Sequence, residues 1–131
     1  MEYLRKKYIC KNQIKKGIGG MKKLINLKKN NYSTAMMIDQ RVSEGIRSKF
    51  FNKEALTTTI PAQLIKKFNI SVVPVFIERV QDFDFKITVN KPINFTKKNS
   101  IKDITDELNK ILEKMILLKP EQWIWSHNRW K

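Results

Sequence analysis

Two apolar stretches constrain the fold of this chain more than any other feature: residues 32–39 (YSTAMMID) and 71–80 (SVVPVFIERV). Because neither alternates apolar and polar residues, each is predicted to be a strand covered on both faces. Pro74, inside the second stretch, indicates a bulge or the end of the hydrogen-bonded ladder. Residues 83–90 do alternate, which predicts a half-exposed antiparallel partner. Strands that are covered on both faces require helices packed against the sheet that they form.

The helical signals lie around these strands. Residues 2–12 and 21–29 are predicted to be basic amphipathic helices. Thr59 is expected to cap a helix that ends near Phe68, with Pro61 in its first turn. A short strand is predicted at residues 49–51, between polar loops at residues 42–48 and 52–58.

The last third of the chain is predicted to be helical. Ser100 and Asp103 form a capping-box-like start, and the apolar positions that follow repeat at spacings of three and four, as on the core side of a helix. Those positions are Ile101, Ile104, Leu108, Ile111, Met115 and Leu118. Pro120 opens a final short helix. The order of elements predicts an α/β sandwich with a small mixed sheet flanked by helices.

The chain is strongly basic, with 27 Lys+Arg against 12 Asp+Glu and a formal net charge of +15. This excess indicates an anionic partner, either nucleic acid, an acidic membrane surface or an acidic protein. It is also compatible with ordinary solvated surface. Residues 1–30 hold ten Lys or Arg and one Glu, and a basic amphipathic pair of helices can lie on anionic lipid.

Cys10 is the only cysteine, which excludes an internal disulfide and a thiolate metal site. We predict no metal and no cofactor. No apolar run approaches the ~18–20 residues that a membrane helix needs, and the N-terminal stretch lacks the apolar region of a signal peptide.

Four sequence blocks carry a resemblance to a known family: AMMIDQ, EGIRSKFFNKEALTTTIPAQL, VVPVFIER and PEQWIWSHNRWK. In this order, over about residues 15–131, they resemble the C-terminal half of the lauroyl and myristoyl acyltransferases of lipid A biosynthesis, in the lysophospholipid acyltransferase superfamily. The resemblance implies a partial glycerol-3-phosphate-acyltransferase-like α/β sandwich, with residues 1–131 as a single partial domain. Asn52 departs from the family's usual Gly, but Asn tolerates the left-handed conformation that such a turn requires.

The family's catalytic signature is a His followed, after four residues, by Asp or Glu. The His acts as general base on the acceptor hydroxyl. The only histidine here is His127, and the chain ends four residues later. We therefore expect no catalytic residue in this chain, and we expect His127 and Arg129 to lie at the C-terminal end of a helix, where positive charge is favoured. Since the family's N-terminal membrane helix also has no counterpart, we interpret the chain as a fragment, poorly soluble because the edge of the strand at residues 32–39 is left open.

The resemblance further implies acyl transfer from acyl carrier protein to a lipid A precursor at the cytoplasmic face of the bacterial inner membrane. This chain would then supply the phosphate and sugar side of the site, since loops at strand ends bind ligands in α/β sheets and arginine suits phosphate. The candidate substrate-binding residues are Asp39, Arg41, Glu44, Gly45, Arg47, Thr57 and Arg79. Alternatively, the arginines are surface charges or pair with Glu44 or Glu78, and the threonine caps a helix.

Two other functions stay open. The chain could be a non-catalytic peripheral membrane protein bound through its first 30 residues. It could also bind nucleic acid, with Trp123, Trp125 and Trp130 stacking on bases. Because no recognised nucleic-acid motif is present, no nucleic-acid partner is expected.

Overall fold

The computed structural model describes residues 2–15 and 17–130, which form two compact units, Met1–Met36 and Met37–Lys131. Unit 1 contains helices α1 (Glu2–Tyr8) and α2 (Ile18–Lys29). Unit 2 contains, in chain order, β1 (Ile46–Phe50), β2 (Lys53–Thr57), α3 (Ile60–Phe68), β3 (Val75–Gln81), β4 (Asp84–Val89) and α4 (Ile101–Ile116). Two short 3₁₀ turns, Pro120–Gln122 and Trp125–His127, follow α4. The predicted α/β class is confirmed.

The strands pair differently from the prediction. The described residues form two antiparallel pairs, β1–β2 and β3–β4, instead of one small mixed sheet. Residues 32–38 are not a strand, and Tyr32 and Met37 are 52% and 83% exposed. The prediction for residues 32–39 was therefore wrong: an apolar run becomes a strand only where another strand satisfies its backbone groups.

The β1–β2 hairpin turns at Phe51 and Asn52, whose φ angles are 48° and 61°. Two successive positive φ angles are those of a type I′ turn, which matches the twist of a hairpin. Asn52 thus adopts the left-handed conformation predicted for it. The turn is fastened to α4, because the Phe51 backbone N–H donates to Oε1 of Glu113 at 2.8 Å. The predicted polar loop at residues 52–58 is mostly β2, which buries Ala55 and Thr57.

The β3–β4 hairpin confirms the predicted antiparallel pairing, with Val75 opposite Val89 and Ile77 opposite Ile87. Pro74 immediately precedes β3, so the regular ladder begins after the proline, as expected. The predicted cover on both faces is wrong. Val75, Ile77, Ile87 and Val89 are 46–66% exposed and form one apolar face open to solvent.

Helix α4 organises the core of unit 2. Its capping box is present as predicted: Asp103 N–H donates to Ser100 Oγ, and Ser100 N–H donates to Asp103 Oδ2. One apolar cluster joins α4 to α3, and a second joins α4 to the β1–β2 hairpin. The buried members are Ala62, Ile65, Ile104 and Leu108 in the first cluster, and Phe50, Ala55 and Ile116 in the second. Ile101 and Leu118, at the ends of the predicted stripe, are 38% and 63% exposed.

Helix α3 spans the predicted residues, with Thr59 at its N-cap position and Pro61 in its first turn. The Thr59 side chain makes no capping hydrogen bond. Thr58 Oγ1 accepts instead from the backbone N–H of Ile60 at 3.3 Å. A run of three threonines therefore supplies the capping oxygen from one position earlier than predicted.

The first two turns of α4 predict a loss of stability in acid. Burial acts to raise the pKa of Asp106, but hydrogen bonds from Lys102 and Ser48 outweigh it, so the pKa lies below its ordinary 3.8. Hydrogen bonds from the backbone and side chain of Ser100 lower the pKa of Asp103. As the pH falls, the unfolded chain binds these protons before the folded chain does. Their stabilisation is therefore complete above about pH 4 and is lost as the pH falls through the folded-state values.

We expect Asp106→Asn to flatten this pH dependence of the free energy of unfolding, by less than about 1 kcal/mol because the carboxylate is partly exposed. Asn keeps an oxygen that can accept from Ser48, which donates to Asp106 Oδ1 at 2.7 Å. The measurement is urea unfolding at a series of pH values from about 6 to 3. The control is Glu121→Gln, which removes an exposed carboxylate from a surface turn. An unchanged pH dependence in Asp106→Asn would contradict this account.

Candidate functional site

The candidate loop, residues 39–45, is held against the end of β2 by its glycine. A Cβ on Gly45 would lie 2.1 Å from the carbonyl oxygen of Thr57, a distance that no side chain tolerates. Ile46, the next residue, pairs with Thr57 in the hairpin. The structure therefore brings together two predicted site residues, Gly45 and Thr57, and the close approach explains the glycine.

Thr57 is buried, and protein groups occupy its hydroxyl. The hydroxyl donates to the Ala55 carbonyl at 3.1 Å, and it accepts from Asn109 Nδ2 at 3.3 Å and from Arg129 Nη2 at 3.1 Å. Thr57 as a substrate ligand stays a prediction. Its observed contacts join β2, α4 and the C-terminal segment beneath the candidate loop.

Arg129 is the central side chain of this arrangement. It is 1% exposed, its Nη1 donates to the Leu56 carbonyl, and its guanidinium lies 5.4 Å from the centre of the Phe50 ring. Burial lowers the pKa of Arg129, and the negative charge of Asp39 acts in the opposite direction. Arg129 was predicted to lie at the C-terminal end of a helix. The last 3₁₀ turn instead ends at His127, and the Arg129 guanidinium is buried against the β1–β2 hairpin.

A buried polar network links Arg129 to α4. Asn109 is 1% exposed and its Nδ2 donates to Ser48 Oγ at 2.8 Å, to the Lys49 carbonyl at 3.2 Å and to Thr57. Ser48 in turn donates to Asp106. Two buried atoms in this network, Asn109 Oδ1 and Arg129 Nε, have no hydrogen-bond partner within the part of the chain that the structure describes. Neither Asn109 nor Ser48 was predicted from the sequence. The only feature of the sequence that pointed to a buried polar group was Asn109 itself, a polar residue directly after Leu108 on the apolar side of α4.

The charged candidates around the loop divide by exposure. Asp39 is half-buried and close enough to Arg129 to influence its pKa. Arg41 and Glu44 are exposed. Arg47, on β1, is exposed and pairs at 3.9 Å with Glu54 on β2, not with Glu44. Arg41, in the loop, and Arg47, on β1, therefore both present their side chains to solvent.

Arg79 lies on the other hairpin. Its guanidinium lies 5.2 Å from the centre of the Phe85 ring, and its backbone N–H and C=O are both bonded by the side-chain amide of Gln122, each at 2.8 Å. Gln122 thus acts as a neighbouring strand would, satisfying the outer edge of β3 at this residue. Glu78, the alternative partner considered for Arg79, pairs instead with Lys86 at 3.1 Å. The observed contacts of Arg79 are separate from those of the loop at residues 39–45.

The C-terminal tryptophans form an aromatic cluster with Phe50 and Phe51. Ring centres lie 4.5–6.4 Å apart in this cluster. Trp130 Nε1 donates to the Phe50 carbonyl at 2.8 Å, and Trp125 Nε1 donates to the Pro120 carbonyl at 2.7 Å. This segment packs on α4, since Trp123 and Trp130 contact the cluster that contains Ile116. His127 is exposed in the last turn.

Residues 2–15 and 17–130 lack two features. No group of three or more His, Cys, Asp or Glu side chains is placed to hold a metal ion. No helix within these residues has the length and apolar character needed to cross a membrane.

The fold is thus an α/β fold, and the loop before β1 is its candidate site for an anionic ligand. A family model described as bacterial lipid A biosynthesis acyltransferase matches residues 6–131. The chain belongs to this family. Membership supports a general acyltransferase role and an acceptor of the lipid A type. No curated protein sequence matches the chain significantly.

Proposed function

We propose that this chain forms the acceptor-binding part of a lipid A biosynthesis acyltransferase. The whole reaction would move a fatty acyl group from acyl carrier protein to a hydroxyl of a lipid A precursor, at the cytoplasmic face of the inner membrane. The family match over residues 6–131 supports the reaction class. The contact between Gly45 and Thr57, with Arg129 buried beneath it, supports the place of the site.

The packing of the loop against the end of β2 supports an acceptor phosphate at this position. Gly45 lies against the Thr57 carbonyl, and the Thr57 hydroxyl accepts hydrogen bonds from Arg129 and Asn109. Arg41 and Arg47 are both exposed. An arginine offers a planar fork of donors that fits two phosphate oxygens at once. Two exposed guanidinium groups, one in the loop and one on the neighbouring strand β1, are suited to a sugar phosphate.

We propose that the chain alone does not transfer acyl groups. Attack on the thioester requires removal of a proton from the acceptor hydroxyl by a positioned base. His127, the only histidine, is exposed in a 3₁₀ turn of the C-terminal segment. No described carboxylate lies within 4.0 Å of its ring to orient it. On this proposal, His127 is not the base that removes this proton.

The basic charge fits the proposed partners. Acyl carrier protein is acidic, and the membrane surface and the lipid A precursor are anionic, so all three are attracted to a chain of net charge +15. Helix α1 adds apolar contact area, since Tyr3, Leu4 and Tyr8 are 50–70% exposed among its lysines. This exposure also favours the second candidate function, a non-catalytic peripheral membrane protein.

The binding test uses glucosamine 1-phosphate, a soluble compound with the sugar and phosphate chemistry of the acceptor. We expect it to bind the full chain, with Arg41→Gln and Arg47→Gln each weakening binding about three- to tenfold, because each removes a charge-assisted contact to phosphate. The measurement is a chemical-shift titration by NMR. The matched control is Lys97→Gln, which removes one exposed positive charge from a loop elsewhere in unit 2.

Three outcomes bear on the proposal. Equal losses in Arg41→Gln, Arg47→Gln and Lys97→Gln would show a general charge effect and contradict a site at this loop. Binding of unphosphorylated glucosamine as tightly as the phosphate would contradict phosphate recognition. Turnover of acyl carrier protein thioester by the purified chain would contradict the proposed lack of activity.

A further inference from the structure

Arg129 carries a buried positive charge whose observed partners are neutral. Its side chain is 1% exposed, and it donates to the Leu56 carbonyl and to the Thr57 hydroxyl. Among the residues that the structure describes, no carboxylate lies within 4.0 Å of its guanidinium, and its Nε atom has no hydrogen-bond partner. A buried cation of this kind is costly, so a carboxylate that reaches the Nε–H group would stabilise the fold.

Asp39 is the carboxylate best placed to reach this group. It is half-buried at the start of the loop at residues 39–45, and the preceding residue, Ile38, packs against the apolar cluster between α3 and α4. At the other end of the loop, Gly45 lies against the carbonyl of Thr57, whose hydroxyl accepts from Arg129. The loop is therefore held at both ends. The negative charge of Asp39 already acts on Arg129, since it opposes the lowering of the Arg129 pKa by burial.

Other carboxylates near the β1–β2 hairpin already have partners or face solvent. Glu54 pairs with an arginine of β1, Asp106 pairs with a lysine of α4, and Glu113 accepts from the backbone of the hairpin turn. Glu44, in the same loop as Asp39, is exposed. Asp39 has no ion pair within 4.0 Å among the described residues, so its carboxylate is available to Arg129.

We propose that Asp39 is a positioning residue, whose carboxylate closes on Arg129 and accepts a hydrogen bond from its Nε–H group. This ion pair fastens the start of the loop to the same arginine that holds Thr57, against which the end of the loop packs. Asp39 is then engaged inside the protein and is not itself a ligand of the acceptor. The ion pair forms in the chain without ligand, so the inference does not depend on the proposed acyltransferase function.

The test is proton–nitrogen correlation NMR of the arginine Nε–H groups in the full chain, without ligand. The Nε–H signal of Arg129 is expected to exchange with water at least about tenfold more slowly than those of the other arginines, because only Arg129 is buried. Arginine-to-lysine substitutions at the exposed positions assign the signals by elimination. Those positions are Arg5, Arg41, Arg47 and Arg79. We also expect a nuclear Overhauser effect between the Arg129 Nε–H and the β protons of Asp39, which needs no substitution in the pair itself.

Three variants of the loop identify the acceptor of this hydrogen bond. Asp39→Asn is expected to shift the Arg129 Nε–H signal and to raise its exchange rate at least about fivefold, because a charge-assisted hydrogen bond is lost. Asp39→Glu keeps the carboxylate and is expected to restore most of the protection. The matched control is Glu44→Gln, which removes an exposed carboxylate from the same loop and should leave the signal unchanged.

The proposal fails if the Arg129 Nε–H shows no Overhauser effect to Asp39, or if Asp39→Asn and Glu44→Gln change its signal equally. It also fails if Asp39→Glu gives no more protection than Asp39→Asn. Protection that persists unchanged in Asp39→Asn would show that another acceptor, such as an internal water molecule, bonds the Nε–H, and the proposal is then overturned. Failure of glucosamine 1-phosphate to bind leaves these outcomes unchanged, because no ligand is present, so the two proposals are tested separately.

Discussion

Arg129→Ala is expected to lower the free energy of unfolding of unit 2 by about 3–5 kcal/mol. Arg129 is 1% exposed, and its guanidinium fills the space among Leu56, Thr57 and Phe50. Alanine leaves a cavity the size of the lost side chain, and it leaves the part-buried Leu56 carbonyl without this donor, which adds a desolvation cost. Few single substitutions in a domain of this size lower the free energy of unfolding by so much.

The measurement is thermal and urea unfolding followed by circular dichroism. For a domain of about 100 residues, a loss of this size lowers the Tm by more than about 12 °C. The matched control is Arg79→Ala, which removes an exposed guanidinium that also lies beside an aromatic ring, Phe85. We expect less than about 1 kcal/mol from that change. A similar loss in both variants would contradict a special role for the buried arginine.

A double-mutant cycle with Thr57→Val separates the Arg129 hydrogen bond from the cavity. Valine keeps the shape of threonine and removes the hydroxyl that accepts from Arg129 Nη2 at 3.1 Å. The two changes are expected to be non-additive by about 0.5–3 kcal/mol, because the residues share one buried network. Strict additivity would show that the hydroxyl contributes nothing to holding Arg129.

The features that the sequence predicted well are those set by local chemistry. The capping box of Ser100 and Asp103 places the start of α4, and the span of α3 follows from its N-cap position and its proline. The pairing of β3 with β4 follows from alternation and a short turn. In each case the residues that decide the structure are within a few positions of one another.

The features that were missed depend on contacts between distant parts of the chain. Arg129 is buried because it reaches Leu56 and Thr57, more than 70 positions earlier. Asn109 is buried because it donates to Ser48, 61 positions away. Polar residues like these usually lie at the surface, and only a partner supplied by the fold makes their burial tolerable.

The residues of the candidate site also divide into those predicted from local chemistry and those placed by contacts between distant parts of the chain. The sequence predicted the glycine and the arginines of the loop before β1, since those residue types suit a turn and a phosphate. It did not predict that Arg129 lies beneath Thr57, or that Gly45 lies against the Thr57 carbonyl. Residue type alone led to the proposal of the exposed arginines as ligands, whereas the packing of Gly45 on Thr57 and the burial of Arg129 follow from the three-dimensional arrangement.

The apolar face of the β3–β4 hairpin predicts self-association of the purified chain. Val75, Ile77, Ile87 and Val89 are exposed side by side on this face. Contiguous exposed apolar surface on a two-stranded sheet promotes association between copies. Poor solubility was predicted from residues 32–39, but those residues form no strand, so the β3–β4 face is the feature that favours association.

The double variant Ile77→Lys with Ile87→Glu is expected to weaken this association at least about 100-fold, because two isoleucines no longer gain free energy by burial. The two positions are opposite each other across the strands, so the new charges attract and the hairpin is retained. The control exchanges the charges of the pair on the other face, Glu78→Lys with Lys86→Glu, which are also opposite each other. Both double variants leave the net charge unchanged. A difference in association between them is therefore caused by the face that carries the substitutions and not by the net charge. Sedimentation velocity over a range of concentrations gives the result, and equal association of both double variants and the original chain would contradict this prediction.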